Sequence, residues 1–300
     1  MMETALQGKR ILVTGSSGFI GSRLCLKLKE SGAEVLTLTG KEGGRADIRD
    51  WGSVAEAGKT LQPLDIVYHL AAITYVPYAL EHPRETYEVN LLGTLNILEL
   101  CRLHQIEKLI FSSSYVYGLP HYLPIDEEPE LRPANPYARS KTMGEDLCRA
   151  FCTDFGLKCV ILRPFNIYGE GQRDDFLIPS ILKQIATGTV ELSDPEPKRD
   201  FLYVDDAVEA FIKAGEYKGA GCEVFNIGSG SSYSVREIVG IIVDAWGKPT
   251  DVKYKNLRRK NEIMDVVADI RKAAGKLDWR PEIGIQTGIK RYVGWYKSHQ

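Results

Sequence analysis

The sequence predicts an α/β protein in which a doubly wound parallel sheet is followed by a smaller α/β lobe. Three observations carry that prediction. Short apolar runs rich in β-branched residues alternate with helical stretches as far as residue 172. The first run ends directly in a glycine-rich turn, and no linker, repeat or low-complexity segment interrupts the 300 residues. Strands and helices in alternation build a parallel sheet covered on both faces. Residues 1–172 are therefore expected to form the larger domain and residues 173–300 most of a second lobe. The boundary is interleaved, because runs near 199–204 and 222–227 can return to the large sheet.

The elements follow in order. Lys9-Arg10-Ile11-Leu12-Val13-Thr14 reads as a buried strand and feeds Gly15-Ser16-Ser17-Gly18-Phe19-Ile20-Gly21, then a helix over 22–31 ended by Gly32. Strand, glycine turn and helix start make a dinucleotide site, since glycines allow close backbone approach and the helix offers unpaired N–H groups to a pyrophosphate. Residues 33–39 read as a second strand. Its last position is Thr39, where an acid would grip a ribose 2′-hydroxyl; Lys41 and Arg45 follow, so the site leans toward tolerating a 2′-phosphate. After Asp47-Ile48-Arg49-Asp50 comes a helix from Ser53, then a strand, Asp65 to Leu70, ending in Ala71-Ala72, small residues that leave room for a ligand. Residues 83–103 read as one long amphipathic helix carrying Asn90. Lys108 to Ser112 is the next strand, running into Ser112-Ser113-Ser114-Tyr115-Val116-Tyr117-Gly118.

Asn135-Pro136-Tyr137-Ala138-Arg139-Ser140-Lys141 carries the chemistry. Asn before Pro starts a helix. Tyr137 and Lys141 are four apart, on one face. An ammonium beside a phenol lowers the Tyr pKa, and a phenol so tuned moves a proton to or from a sugar hydroxyl.

Composition bounds the function. Net charge is −2, so no basic field marks the chain for nucleic acid. No apolar run is long enough for a membrane span and no signal-peptide pattern is present. Six cysteines without paired spacing and five scattered histidines point to a reduced, cytoplasmic, metal-free protein.

Together these motifs resemble the extended short-chain dehydrogenase/reductases, in the branch of nucleotide-sugar epimerases and dehydratases. The resemblance covers nearly the whole chain and implies a Rossmann-type fold, NAD or NADP as cofactor, a nucleoside-diphosphate sugar as substrate and a homodimer. It implies Tyr137 as general acid/base, Lys141 on the nicotinamide ribose and Ser113, counted back from Val116-Tyr117-Gly118, on the sugar hydroxyl. Cofactor contacts are expected from Gly15, Ser17, Gly18, Phe19, Ile20, Lys41, Asp47, Ile48, Leu70, Ala71, Ala72, Asn90, Ser112 and Pro164, besides Tyr137 and Lys141. Substrate contacts are expected from Ser113, Ser114, Asn166, Arg199, Arg259 and Glu262, the arginines because their planar fork meets phosphate oxygens bidentately. Asp200 and Asp205 are expected to be structural. The residues following Ser113, Ser114-Tyr115, carry no carboxylate, which disfavours dehydration. The reading is C4 epimerisation through a 4-keto sugar, with NADPH-dependent reduction of a 4-keto-6-deoxyhexose as the alternative and a non-catalytic dinucleotide sensor less favoured.

Overall fold

The computed structural model describes residues 5–38, 46–258 and 262–299. Strand β1 (Arg10–Thr14) is buried along its last four residues. Ile11 and Val13 join an apolar cluster on one face of the sheet, while Leu12 joins the cluster on the other. That alternation, with both sides apolar, is what a central parallel strand requires. β1 pairs in parallel with β2 (Glu34–Thr37) and β3 (Ile66–His69); β4 (Lys108–Ser112), β5 (Lys158–Pro164) and β9 (Cys222–Ile227) complete the order β2-β1-β3-β4-β5-β9. The strand order reverses between β1 and β3, which opens a crevice beyond their carboxyl ends.

Helices α1 (Phe19–Glu30) and α8 (Val204–Glu216) cover one face; α2 (Trp51–Leu61), α5 (Gly93–Leu103) and α6 (Pro136–Phe155) cover the other. Helix α2 starts before Ser53, because the Asp50 carboxylate caps it by accepting from the Gly52 and Ser53 amides. The long helix expected over 83–103 is divided into α4 (Pro83–Tyr87), a π-helical turn (Glu88–Leu92) that carries Asn90, and α5; α3 (Val76–Glu81) precedes them.

The second lobe holds β6 (Asn166–Tyr168), β8 (Lys198–Tyr203) and β10 (Ser232–Ser234) in a three-stranded sheet, and β7 (Thr189–Leu192) beside β11 (Asp251–Tyr254). Helices α7 (Leu177–Ile185), α9 (Val235–Trp246), α10 (Arg271–Lys276) and α11 (Ile285–Ser298) pack around them. Of the two runs that could return to the large sheet, 222–227 does so as β9 and 199–204 does not. The chain therefore crosses back after residue 172, taking α8 and β9 into the large body. Among the described residues no helix is long and apolar enough to cross a membrane.

Candidate active site

The parallel register sets the site. Thr14 lies level with His69, His69 with Phe111, Phe111 with Ile161, and Ser112 with Leu162. The glycine turn, Leu70 to Ala72, the serine run and Pro164 consequently emerge along one sheet edge.

At the turn Gly15 has φ +71°, and a Cβ there would lie 2.7 Å from the Ala71 amide nitrogen; a Cβ on Gly21 would lie 2.1 Å from the Gly15 carbonyl oxygen. Only glycine fits either position. Gly18 precedes α1 without a side-chain cap, and Ser17 and Gly18 are exposed while Phe19 and Ile20 are partly so. An uncapped helix start with exposed residues in front of it suits a pyrophosphate. Asp47 is bound by Arg49, and Ile48 packs so tightly on Gly93 that a Cβ there would fall 2.6 Å from Ile48 Cδ1. Thr39, Lys41 and Arg45, on which the 2′-phosphate reading rests, lie outside the described residues, as does Arg259.

A buried chain that the sequence reading missed ties this edge together. The Thr94 hydroxyl donates to the Asn90 carbonyl at 2.6 Å, so it accepts from His69 Nε2–H at 3.0 Å. Nδ1 then accepts from the Thr14 hydroxyl at 2.7 Å, and the Thr14 oxygen accepts from the Ala71 amide at 3.2 Å. Burial pushes His69 down to about 3, with the Lys141 charge adding to the effect, so the ring stays neutral. The only sequence signal was a threonine closing β1 beside a histidine closing β3. Asn90 meanwhile spans two elements: its amide pairs with both backbone groups of Ile73, at 2.8 and 2.9 Å, and donates to Ser140 on α6.

Helix α6 begins as its sequence dictates, with Asn135 accepting from the Ala138 amide at 2.9 Å and Pro136 in the first turn. Lys141 is buried and donates from Nζ to the Ser112 carbonyl at 2.8 Å, 5.0 Å from the centre of the Phe111 ring. Burial brings its pKa down to about 8. The Tyr137 phenol departs from expectation: burial raises it, and the opposing contact is a hydrogen bond with Ser114. The reason is geometric, since the lysine directs its ammonium at the Ser112 carbonyl.

The serines also divide differently from the count along the sequence. Ser113 is 2% exposed and its hydroxyl donates to Glu145 Oε1 at 2.6 Å, whereas Ser114 is partly exposed beside Tyr137. Successive residues leaving a strand face opposite ways, so only one of the two meets the phenol.

From the second lobe, Arg199 pairs with Glu262 and donates to the Ile263 carbonyl at 2.7 Å. Two residues expected at the substrate thus sit together. Burial pushes the Tyr115 phenol up to about 12 and the Arg199 charge opposes it, so Arg199 is within electrostatic reach of that phenol. Asn166 donates to the Asp200 carbonyl at 3.2 Å. The Asp200 carboxylate accepts from the amides of Ser229, Gly230 and Ala268, and Asp205 pairs with Arg23, both structural tasks. Among the described residues no group of three or more His, Cys, Asp or Glu is placed to hold a metal ion.

Comparison with known proteins agrees with this geometry. The profile of the NAD dependent epimerase/dehydratase family matches residues 11–228. A putative UDP-glucose 4-epimerase of Methanocaldococcus jannaschii is 36% identical, over 96% of this chain and 99% of its own length. The GDP-6-deoxy-D-mannose reductase of Pseudomonas aeruginosa is 33% identical, over 97% of this chain and 98% of its own. The crystal structure of UDP-glucose 4-epimerase with UDP-glucose from Thermotoga maritima superposes with a TM-score of 0.89 at 29% identity, covering 96% of this chain and 99% of that one. A glycine cradle at the switch point, a Tyr–Lys helix beside it and matches running the length of the chain have one common explanation: this protein belongs to the NAD-dependent epimerase/dehydratase family.

Proposed function

We propose that the protein is an NAD(P)-dependent nucleotide-sugar epimerase acting at C4 of a UDP-hexose through a transient 4-keto sugar. The observation that carries this is the meeting of Tyr137, Ser114 and Lys141 at the sheet edge that also bears the glycine turn. Bound NAD(P) supplies a hydride acceptor that can return the hydride. Tyr137 takes the C4 hydroxyl proton as the sugar is oxidised and gives it back when the ketone is reduced. As a neutral phenol it is ready to donate; in the other direction it must ionise, and the Ser114 hydrogen bond lowers that cost. Ser114, rather than Ser113, orients the sugar hydroxyl. Lys141 holds the nicotinamide ribose, Arg199 meets the nucleoside diphosphate, and the Glu262 carboxylate accepts from the nucleoside ribose.

Incubation with UDP-galactose tests the proposal: UDP-glucose should accumulate without net consumption of added NAD or NADPH. Stoichiometric NADPH oxidation on a 4-keto-6-deoxy sugar nucleotide would instead select the reductase reading, which the similarity to the Pseudomonas enzyme supports. The absence of a carboxylate at Ser114-Tyr115 disfavours dehydration. The outer face of α5 and α6 exposes Leu95, Leu103 and Met143, and we assign it to a homodimer contact. All six cysteines are free, which fits a reduced cytoplasmic location, and an enzyme that interconverts nucleotide sugars would serve carbohydrate biosynthesis.

A further inference from the structure

Three consecutive residues leaving β4 are held by three residues on one face of α6. The Ser112 carbonyl accepts from Lys141 at 2.8 Å, the Ser113 hydroxyl donates to Glu145 at 2.6 Å, and the Ser114 hydroxyl lies close enough to the Tyr137 phenol to lower its pKa. Tyr137, Lys141 and Glu145 follow at four-residue steps, so they stack along one side of the helix. The outer strand residues, Ser112 and Ser114, touch the two groups that do the chemistry. The middle one touches a carboxylate with no surface at all.

Glu145 is fixed from two further directions. Arg163 on β5, itself 2% exposed, donates from Nε to Oε1 at 2.9 Å and from NH2 to Oε2 at 2.6 Å. Arg149 adds a third contact, to Oε2 at 2.8 Å. The remaining Arg163 nitrogen donates to the Tyr117 hydroxyl at 2.9 Å, and that hydroxyl donates to Asn226 on β9. A bidentate guanidinium fork fixes a carboxylate in both position and plane. Burial alone would raise the Glu145 pKa, but Arg163 holds it below the usual range, so it accepts the Ser113 proton as an anion. A buried ion pair brings little stability over packed hydrocarbon. Its location, one residue from each catalytic contact, gives it another task.

We propose that Glu145, clamped by Arg163, is a positioning residue that acts through the Ser113 hydroxyl to set the Ser112 carbonyl against Lys141 and the Ser114 hydroxyl against Tyr137. This rests on the reaction proposed above. Substrate and cofactor never touch Glu145; its effect passes along the backbone of the serine turn.

Ser113→Ala is the decisive variant, because it deletes one hydroxyl and leaves both arginines on Glu145. Glu145→Gln keeps an acceptor but strands the buried Arg163 charge, and it serves as the second arm where it folds. Turnover of UDP-galactose and amide hydrogen exchange of the segment 109–117 are measured on each. For Ser113→Ala, kcat should fall about tenfold with KM within about twofold, as expected for a small misplacement of reacting groups. Exchange in 109–117 should quicken while the melting temperature barely moves, and the double variant should be no slower than the slower single one. Parent-like kcat in Ser113→Ala, an additive loss in the double variant, or a rise in KM with unchanged exchange would each overturn the proposal, the last by putting Ser113 on the substrate. If the parent itself is silent on nucleotide sugars, the reaction assigned above fails, and the exchange comparison decides the clamp by itself.

Discussion

Tyr137 and Lys141 share a helix face, yet their environments pull in opposite directions. Burial favours the neutral form of each, raising the phenol and lowering the ammonium. Removing the phenol hydroxyl takes away the proton shuttle and little else: Tyr137→Phe should lose about 10²- to 10⁴-fold in kcat, with dinucleotide affinity near that of the parent by fluorescence titration. Lys141, brought down to about 8, loses its charge well below the pH at which a solvated lysine does. The rate profile of kcat/KM should therefore decline above pH about 8. Lys141→Arg, which stays charged, should flatten that limb in whatever activity it retains.

At the scale of elements, β1, β3 and the helix behind them are joined by a neutral histidine, and this makes a statement about stability. The His69 pKa is about 3 in the folded chain against 6.5 for a free imidazole. Between those values the unfolded chain binds a proton that the native one does not, so stability falls as pH falls through that window. Urea unfolding at pH 7.5 and pH 5 should show the loss, and His69→Gln should reduce the difference between the two midpoints even though it is less stable at both. The glycine turn makes its own demand. Gly15→Ala places a methyl against the Ala71 amide at a left-handed φ and should cost about 1–3 kcal/mol. Dinucleotide affinity should drop with it, read by thermal shift with and without NAD.

For the whole molecule, α6, which carries the chemistry, and its neighbour α5 expose large apolar side chains on their outer side. Leu95 and Leu103 on α5 and Met143 on α6 are each at least 39% exposed. Leu95→Glu should convert a dimer into monomers in sedimentation velocity while the isolated subunit stays folded. Sedimentation of the parent as a monomer at micromolar concentration would remove the assignment. Both lobes are threaded by one chain that returns to the large sheet as β9. Arg23 on the dinucleotide helix is tied to Glu170 and Asp205 of the later residues. The pair with Asp205 holds α1 and α8 together on one face of the large sheet, and cutting at residue 172 would remove α8 and leave β5 with an unpaired edge.

What was legible in the sequence is what local chemistry dictates. The β1–glycine–α1 unit, the Asn135-Pro136 helix start and the four-residue step from Tyr137 to Lys141 depend on neighbours in the chain, and the structure has them where the sequence puts them. The serine run, the pKa of the phenol and the partner of the ammonium depended instead on which way each residue faces after β4 and on what α6 brings to meet it. So did the fate of residues 199–204 and 222–227, because an apolar run does not say which sheet will receive it. Periodicity reads a residue's environment along the chain. The division of Ser112, Ser113 and Ser114 among Lys141, Glu145 and Tyr137 is written across it, and only packing the helix on the sheet decides that.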